Sequence, residues 1–214
     1  WQNIHCLKPG HNLIVVNGNL NIKQYYDLDI ANFESSRLSF NEAVEQYRSI
    51  FLDSIAINLR SDVEIGATLS GGMDSSAIVC SAVHKKGEPL KTFSSYYACT
   101  KELDERKWIE KIVQKTSCPN YLVSPKAEDA ICWWEKLTYL DDLPLSAAFV
   151  SINAVMQEAH KQGIKVLLAG QGSDEISAGY RHSLYRYFAD LIRNMQIGRL
   201  AKELPEYLKK DNKT

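Results

Sequence analysis

The sequence of 214 residues lacks the features that mark several classes of protein. Its five cysteines form no C-x-x-C pair and no Cys/His spacing typical of zinc, which argues against structural zinc and favours a reducing compartment. The formal net charge is −1, so no overall basic field is available for nucleic acid or an anionic membrane. We therefore expect a cytoplasmic protein that binds neither nucleic acid nor membranes.

Long hydrophobic runs and a targeting segment are also missing. No apolar run approaches the ~20 residues that cross a bilayer, and the opening WQNIHC has neither part of a signal peptide. The composition, 45% hydrophobic and 24% charged, is that of a globular protein able to bury a core. Because the sequence begins with Trp1 rather than Met, we expect it to be part of a longer protein.

The first thirty residues predict a β-hairpin. In LIVVNGNLNIKQYY, residues 13–26, Asn17-Gly18 is the pair that a two-residue type I′ turn favours. An isolated hairpin is only marginally stable in water. We therefore assign residues 1–32 to the end of a β-rich domain plus a linker, and residues 33–214 to a second domain.

In the second domain, short apolar runs alternate with helical patterns, starting at the capping-box spacing of Ser39 and Glu42. This alternation is typical of an α/β fold with an open, doubly wound parallel sheet and helices on both faces. The predicted strands are IGATL, TFSSYY, NYLV and IKVLLAG. The predicted helices cover 75–86, ended by Gly87, then 104–116, 127–162 with a break near Pro144, and a segment after Tyr180 that leads to a frayed tail, EYLKKDNKT.

Residues 70–76, SGGMDSS, join the strand IGATL to the following helix. In an open parallel sheet, ligands bind at the carboxyl ends of the strands. Glycines allow close backbone approach, amides at a helix start favour an anion, and serine hydroxyls donate to phosphate oxygens. The loop lacks the lysine of a GxxxxGK[ST] motif, and Asp74 is suited to holding Mg²⁺. The stretch predicts a phosphate-binding loop, although a Gly/Ser-rich turn can also be only a turn.

The loop resembles the PP-loop signature, SGGxDS, of ATP pyrophosphatases, which adenylate substrates and release pyrophosphate. Residues 164–180, IKVLLAGQGSDEISAGY, resemble the GxGxDExxxGY signature of glutamine-dependent asparagine synthetases. The two motifs occur in that family's order, about a hundred residues apart, and the resemblance covers residues 35–200. The opening hairpin is similar to the last hairpin of that family's glutaminase domain.

The resemblance implies roles for individual residues. Asp74 and Asp174 would hold Mg²⁺, and together with Gln171, tied to acyl-adenylate formation, they form the implied catalytic set. Asp104, in the acidic pair Asp104-Glu105, and Glu175 would lie on the substrate side, although Asp104 also suits a first helical turn and Glu175 could only anchor its loop. The implied ATP-binding residues are Leu69, Ser70, Gly71, Gly72, Asp74, Ser75, Ser76, Ser95, Ala169 and Gly170.

The activity implied by the resemblance is ATP-dependent asparagine synthesis. Aspartate would be activated as β-aspartyl-AMP with release of pyrophosphate, and ammonia, produced from glutamine by a glutaminase domain in cis, would displace AMP. The alternatives are another amide former of this fold such as a β-lactam synthetase, a tRNA-modifying PP-loop enzyme, or a nucleotide-binding module without turnover. The family's downstream catalytic lysine has no convincing counterpart before Thr214, so we expect slow or no turnover by this chain alone. A homodimer is one option for its assembly.

Overall fold

A computed structural model describes residues 2–28, 38–97, 104–142 and 148–211. The chain forms two compact units, Trp1–Ser49 and Ile50–Thr214. The linker and domain boundary proposed near residue 32 lie outside the described residues, as does the helix break proposed near Pro144. Both stay predictions.

The first unit contains the predicted hairpin, in which β1 (His11–Val16) pairs antiparallel with β2 (Asn19–Gln24). The turn residues Asn17 and Gly18 have φ of 50° and 78°, as a type I′ turn requires. The unit ends in the first part of helix α1 (Phe40–Asn58), which begins at the predicted capping box. There the Ser39 amide donates to Glu42 Oε2 over 2.8 Å, and the Glu42 amide donates to Ser39 Oγ over 3.3 Å. These hydrogen bonds lower the pKa of Glu42.

The second unit is built on a four-stranded parallel sheet with the order β5-β4-β3-β6. The chain moves outward from β3 through β4 to β5 and then returns to the other side of β3 with β6. Two inner strands therefore carry the first two strand-to-helix connections, and the sheet confirms the predicted open α/β fold. The strands are β3 (Ile65–Thr68), β4 (Thr92–Ser95), β5 (Asn120–Val123) and β6 (Val166–Leu168).

Helices cover both faces of this sheet, and a separate apolar core lies on each face. On one face, Ala67 and Leu69 from the region of β3 pack with Val79 and Ile109 from two helices. On the other face, Phe93 packs with Val155 and its neighbours, and its ring stacks on that of Tyr121. The helices are α2 (Met73–Lys86), α3 (Arg106–Thr116), α4 (Ala127–Asp141), α5 (Ala148–Lys161), α6 (Ser173–Ser177), α7 (Arg181–Arg193) and α8 (Ile197–Asp211).

Helix ends agree with the sequence prediction in some places and correct it in others. The αL residue Gly87 ends α2 as predicted, and its amide donates to the Val83 carbonyl. However, α2 begins two residues earlier than predicted, so Asp74 lies in its first turn. Helix α3 begins two residues later, because the Asp104 carboxylate accepts the Arg106 amide in a turn that precedes the helix.

The prediction of a frayed carboxyl tail is wrong for residues 206–211, which belong to α8. This helix packs on α7: the Tyr187 hydroxyl donates to Glu203 Oε2 over 2.7 Å, and the rings of Phe188 and Tyr207 lie 5.6 Å apart. The tertiary contact supports a helix end that the polar sequence alone does not predict. Within the described ranges, no helix combines the length and apolar character needed to cross a membrane.

Candidate functional site

The SGGMDSS loop leaves the sheet from a fully buried point. Leu69 is 0% exposed, and its amide donates to the Phe93 carbonyl over 2.9 Å. Two residues later Gly71 has φ +86°, and a Cβ placed there would lie 3.1 Å from both the Glu105 carbonyl oxygen and Trp108 Cβ. The loop thus needs glycine for its backbone conformation and for its close packing on the start of α3.

Hydrogen bonds inside the loop hold its shape. The Ser75 hydroxyl is buried and accepts the Ser70 amide over 3.2 Å, donates to the Gly72 carbonyl over 3.3 Å, and lies 3.0 Å from Ser70 Oγ. The hydroxyl predicted to bind ATP is therefore engaged within the loop. If Ser75 contacts a nucleotide in this arrangement, its backbone amide is the group available for it.

The helix that follows the loop starts without a side-chain cap. Gly72 occupies the N-cap position and has no side chain to bond the first-turn amides, which lack intrahelical acceptors in any α-helix. The first amide to make an intrahelical hydrogen bond is that of Ser76, which donates to the Gly72 carbonyl over 3.1 Å. Among the described residues no side chain caps these amides, so this 14-residue helix presents them and its positive end at the carboxyl-terminal end of the strands, an arrangement suited to an anion.

The second motif loop, GQGSDE, follows the neighbouring strand β6 and lies at the same carboxyl-terminal end of the sheet. Thr68 Oγ1 donates to the Leu168 carbonyl over 3.4 Å, just before the two loops begin. A Cβ on Gly170 would lie 3.3 Å from Asp74 Cβ and 3.5 Å from the Ser75 amide nitrogen. Two motifs that are far apart in sequence are therefore in direct contact, as expected for loops on adjacent parallel strands.

Asp174 and Glu175 occupy the short helix α6 in different ways. A Cβ on Gly179 would overlap the Asp174 carboxylate, and the Gly179 amide donates to the Asp174 carbonyl over 2.9 Å, so the motif's late glycine makes room for this acid. The Tyr180 hydroxyl donates to Glu175 Oε1 over 2.9 Å, which raises the pKa of Tyr180. Glu175 therefore anchors the end of the motif in this structure, while the predicted site residues Ala169 and Gln171 are exposed.

Asp104 faces a cation rather than an open cleft. Arg106 forms a two-pronged pair with it, with Nε 2.9 Å from Oδ1 and Nη2 2.6 Å from Oδ2, and these bonds lower the pKa of Asp104 to about 2. The guanidinium also lies 4.5 Å above the ring of Tyr96, which follows Ser95 at the end of β4. The sequence prediction missed Arg106, although the spacing D-E-R allows such a local pair.

The predicted site residues thus lie at the carboxyl-terminal ends of three strands, β3, β4 and β6. Ser95 ends β4, beside β3 with its loop, and pairs with Val123 on its other side. Within the described parts of the chain, no cluster of three or more His, Cys, Asp or Glu side chains could hold a metal. Mg²⁺ is commonly held by one or two carboxylates plus substrate phosphates, and Asp74 and Asp174, on loops in contact, fit that donor set.

Two surface grooves lie away from these loops. One, of about 280 Å³, runs between α3 and β5 past Arg106 and Leu122, and the other lies on α4 beside Trp134. Neither is lined by a predicted site residue. Both grooves are therefore separate from the candidate site, which lies where the two motif loops meet.

A parallel α/β sheet with a glycine-rich loop and an uncapped helix start at its carboxyl edge defines a nucleotide-binding type of domain. The family model described as Asparagine synthase matches residues 46–212, and the chain belongs to the asparagine synthase family. The family resemblance predicted from the two motifs is confirmed.

Curated relatives agree with this assignment. The chain is 30% identical over 193 residues to Asparagine synthetase [glutamine-hydrolyzing] 3 of Bacillus subtilis, covering 84% of the chain and 31% of that protein. It is 33% identical over 191 residues to Asparagine synthetase [glutamine-hydrolyzing] 1 of the same organism, covering 84% and 28%. It is also 29% identical over 196 residues to Amidase chry2 of Gibberella zeae, covering 84% and 29%. The chain spans less than a third of the length of each of these relatives.

Proposed function

We propose that residues 33–214 act as the ATP-dependent synthetase domain of an amide-forming ligase, with aspartate and ammonia as substrates and asparagine as product. The observation that carries the proposal is the contact between the two motif loops, where Gly170 packs against Asp74 at the carboxyl edge of the sheet. Membership of the asparagine synthase family and the names of the two Bacillus relatives support the choice of reaction.

The chemistry requires activation of the acid, because a free carboxylate would have to expel oxide to form an amide. A carboxylate oxygen of aspartate attacks the α-phosphorus of ATP, and the bond from that phosphorus to pyrophosphate breaks as β-aspartyl-AMP forms. The electron pair of ammonia then forms the C–N bond, the C–O bond to AMP breaks, and a proton leaves the nitrogen. Both steps place negative charge on departing phosphate oxygens, where preorganised donors accelerate the reaction.

The residues of the site have distinct roles in this proposal. The uncapped first turn of α2, with the loop amides and Ser70, binds and stabilises the departing pyrophosphate. Asp74 and Asp174 hold Mg²⁺, which would neutralise phosphate charge. Gln171 assists adenylate formation. The nucleotide is lined by Leu69, Gly71, Gly72, Ser75, Ser76, Ser95, Ala169 and Gly170.

The remaining sequence extends the proposal to the whole protein. Residues 1–32 form the end of a glutaminase domain that supplies ammonia in cis, and the protein acts in the cytoplasm. A second candidate is an amide former that uses another carboxylic acid. The match to the relative named Amidase chry2, at 29% identity, favours keeping this candidate.

Pyrophosphate release tests the reaction. ATP, Mg²⁺ and ammonium are supplied with aspartate or with a panel of other carboxylic acids, to this chain and to a longer protein in which it is extended to the length of its Bacillus relatives. We expect aspartate-dependent release by the longer protein. Release with another acid but not with aspartate selects the second candidate, and no release with any acid rejects ligase function. Calorimetry gives a separate answer for the chain itself, since a folded chain that binds neither ATP nor AMP contradicts the nucleotide site.

A further inference from the structure

A buried hydroxyl next to the candidate site contacts the backbone from which the SGGMDSS loop departs. Ser94, in β4, is 1% exposed, and its Oγ lies 2.5 Å from the Leu69 carbonyl oxygen. The Leu69 amide also donates to the neighbouring strand, at the Phe93 carbonyl. Both backbone groups of the residue before the loop are therefore tied to β4.

A second buried hydroxyl on β4, that of Thr92, also contacts a backbone carbonyl, but one that is not connected to the loop. Thr92 is 0% exposed, and its Oγ1 donates to the Pro119 carbonyl over 3.1 Å. Both hydroxyls also lie within hydrogen-bond distance of Asn120 Oδ1, Thr92 Oγ1 at 3.0 Å and Ser94 Oγ at 2.9 Å. The two residues thus share a partner and a buried setting but differ in the carbonyl that they contact.

Proton counting explains how this cluster is satisfied. Each hydroxyl has a single proton, yet each lies close to a backbone carbonyl and to Asn120. The Leu69 carbonyl can only accept a hydrogen bond, so the Ser94 hydroxyl is the donor in that contact. The structure places Asn120 Oδ1 against both hydroxyls, and exchanging the oxygen and nitrogen of this amide would let the nitrogen donate to both hydroxyl oxygens, which leaves both hydroxyl protons for the carbonyls.

We propose that Ser94 is a positioning residue for the nucleotide loop, because its hydroxyl fixes the Leu69 carbonyl at the point where the loop leaves the sheet. This inference rests on the proposed function for its effect on nucleotide binding. The loop that follows Leu69 has little room to move, because Gly71, two residues later, packs tightly on the start of α3. A shift of Leu69 is therefore transmitted to the amides that would meet the phosphates.

The test compares Ser94→Ala with Thr92→Ala in the full chain. Each variant removes one buried hydroxyl from the same cluster, so both should lower the melting temperature by similar amounts. Only Ser94→Ala releases Leu69. Hydrogen exchange without nucleotide should therefore accelerate at amides 69–76 in Ser94→Ala and stay at the wild-type rate there in Thr92→Ala. Ser94→Cys, which places a larger and weaker donor at the same position, should change exchange in the same direction.

Calorimetry with ATP and Mg²⁺ gives the second readout. We expect Ser94→Ala to weaken binding about tenfold, the worth of one net hydrogen bond, and Thr92→Ala to weaken it less than about twofold. Equal effects of the two alanine variants on both exchange and affinity would overturn the positioning role. If the wild-type chain binds no nucleotide, the proposed function fails, and the exchange comparison alone decides whether Ser94 positions the loop.

Discussion

The two motif loops end adjacent parallel strands, yet the chain supports them very differently. The SGGMDSS loop follows β3, an inner strand, and is braced by the buried hydroxyl of Ser75 and by close packing of Gly71 on α3. The GQGSDE loop follows β6, which borders the described sheet, and Ala169 and Gln171 are exposed. Its α6 contacts are local, from Glu175 to Tyr180 and from Asp174 to Gly179.

This difference separates two tasks that a nucleotide site must perform. The first loop has its shape fixed by the protein itself, which suits a set of donors that must be preorganised for a departing phosphate. The second loop carries acidic and amide side chains on a less buried segment, which suits groups that complete their contacts only with substrate present.

The largest difference should appear between matched glycine substitutions in the two loops. Gly71→Ala meets both an unfavourable φ of +86° and backbone within 3.1 Å, so we expect it to destabilise the chain by about 3 kcal/mol. Gly172→Ala has φ of +90°, but no atom of the described residues lies within 4 Å of the added Cβ, so only the backbone strain of about 1–2 kcal/mol applies. Urea unfolding measures both, and equal losses would show that packing on α3 contributes nothing.

Removing the charge of Asp74 should reduce nucleotide binding without loosening the fold. Asp74→Asn keeps the side-chain size, and Asp74 lies half-buried in the first turn of α2. We expect Mg²⁺-dependent ATP affinity to fall about tenfold or more, the effect of losing one charged contact, while the melting temperature without nucleotide stays nearly constant. The exposed Asp62→Asn serves as the control and should change neither quantity. Unchanged affinity in Asp74→Asn would assign Asp74 a structural role only.

The sequence predicted the scaffold better than the contacts. Alternating apolar runs and helices, with Asn17-Gly18 and Gly87 as local signals, specify the hairpin, the parallel sheet and a helix end because these depend on neighbouring residues. The packing of Gly71 on α3 depends on residues that come together only on folding. The ion pair of Asp104 with Arg106 is local, but the sequence pattern did not predict it. The late glycine at 179 shows the same limit, since its reason is the Asp174 carboxylate beside it.

A smaller loss of ATP affinity should follow from a substitution at the contact between the two loops. Gly170→Ala places a methyl group 3.3 Å from Asp74 Cβ, so the loops must separate by a few tenths of an ångström. We expect several-fold weaker ATP binding and a loss of unfolding free energy below about 1 kcal/mol. The control is Gly198→Ala in α8, where the added Cβ meets no atom within 4 Å in the described part of the chain, and it should slightly stabilise the chain. A Gly170→Ala chain that binds ATP as well as wild type contradicts a site shared by the two loops.

The smallest effect concerns the acid that faces Arg106. The pKa of Asp104 is lowered from 3.8 to about 2 by its hydrogen bonds to Arg106, so the folded chain favours the ionised form. The resulting stabilisation is present above pH 4 and is lost as the pH falls from about 4 to about 2. We therefore expect the stability difference between wild type and Asp104→Asn to be constant near neutral pH and to shrink in that acidic window. A difference that is independent of pH would show that the ion pair adds no stability.

Hydrogen exchange with and without ATP and Mg²⁺ shows whether the two loops form one nucleotide site. We expect amides 70–76 and 169–174 to gain protection together and over the same range of ATP concentration, while the hairpin of β1 and β2 exchanges at an unchanged rate. Protection confined to one loop, or two loops that respond at different ATP concentrations, would show that the loops do not share a site.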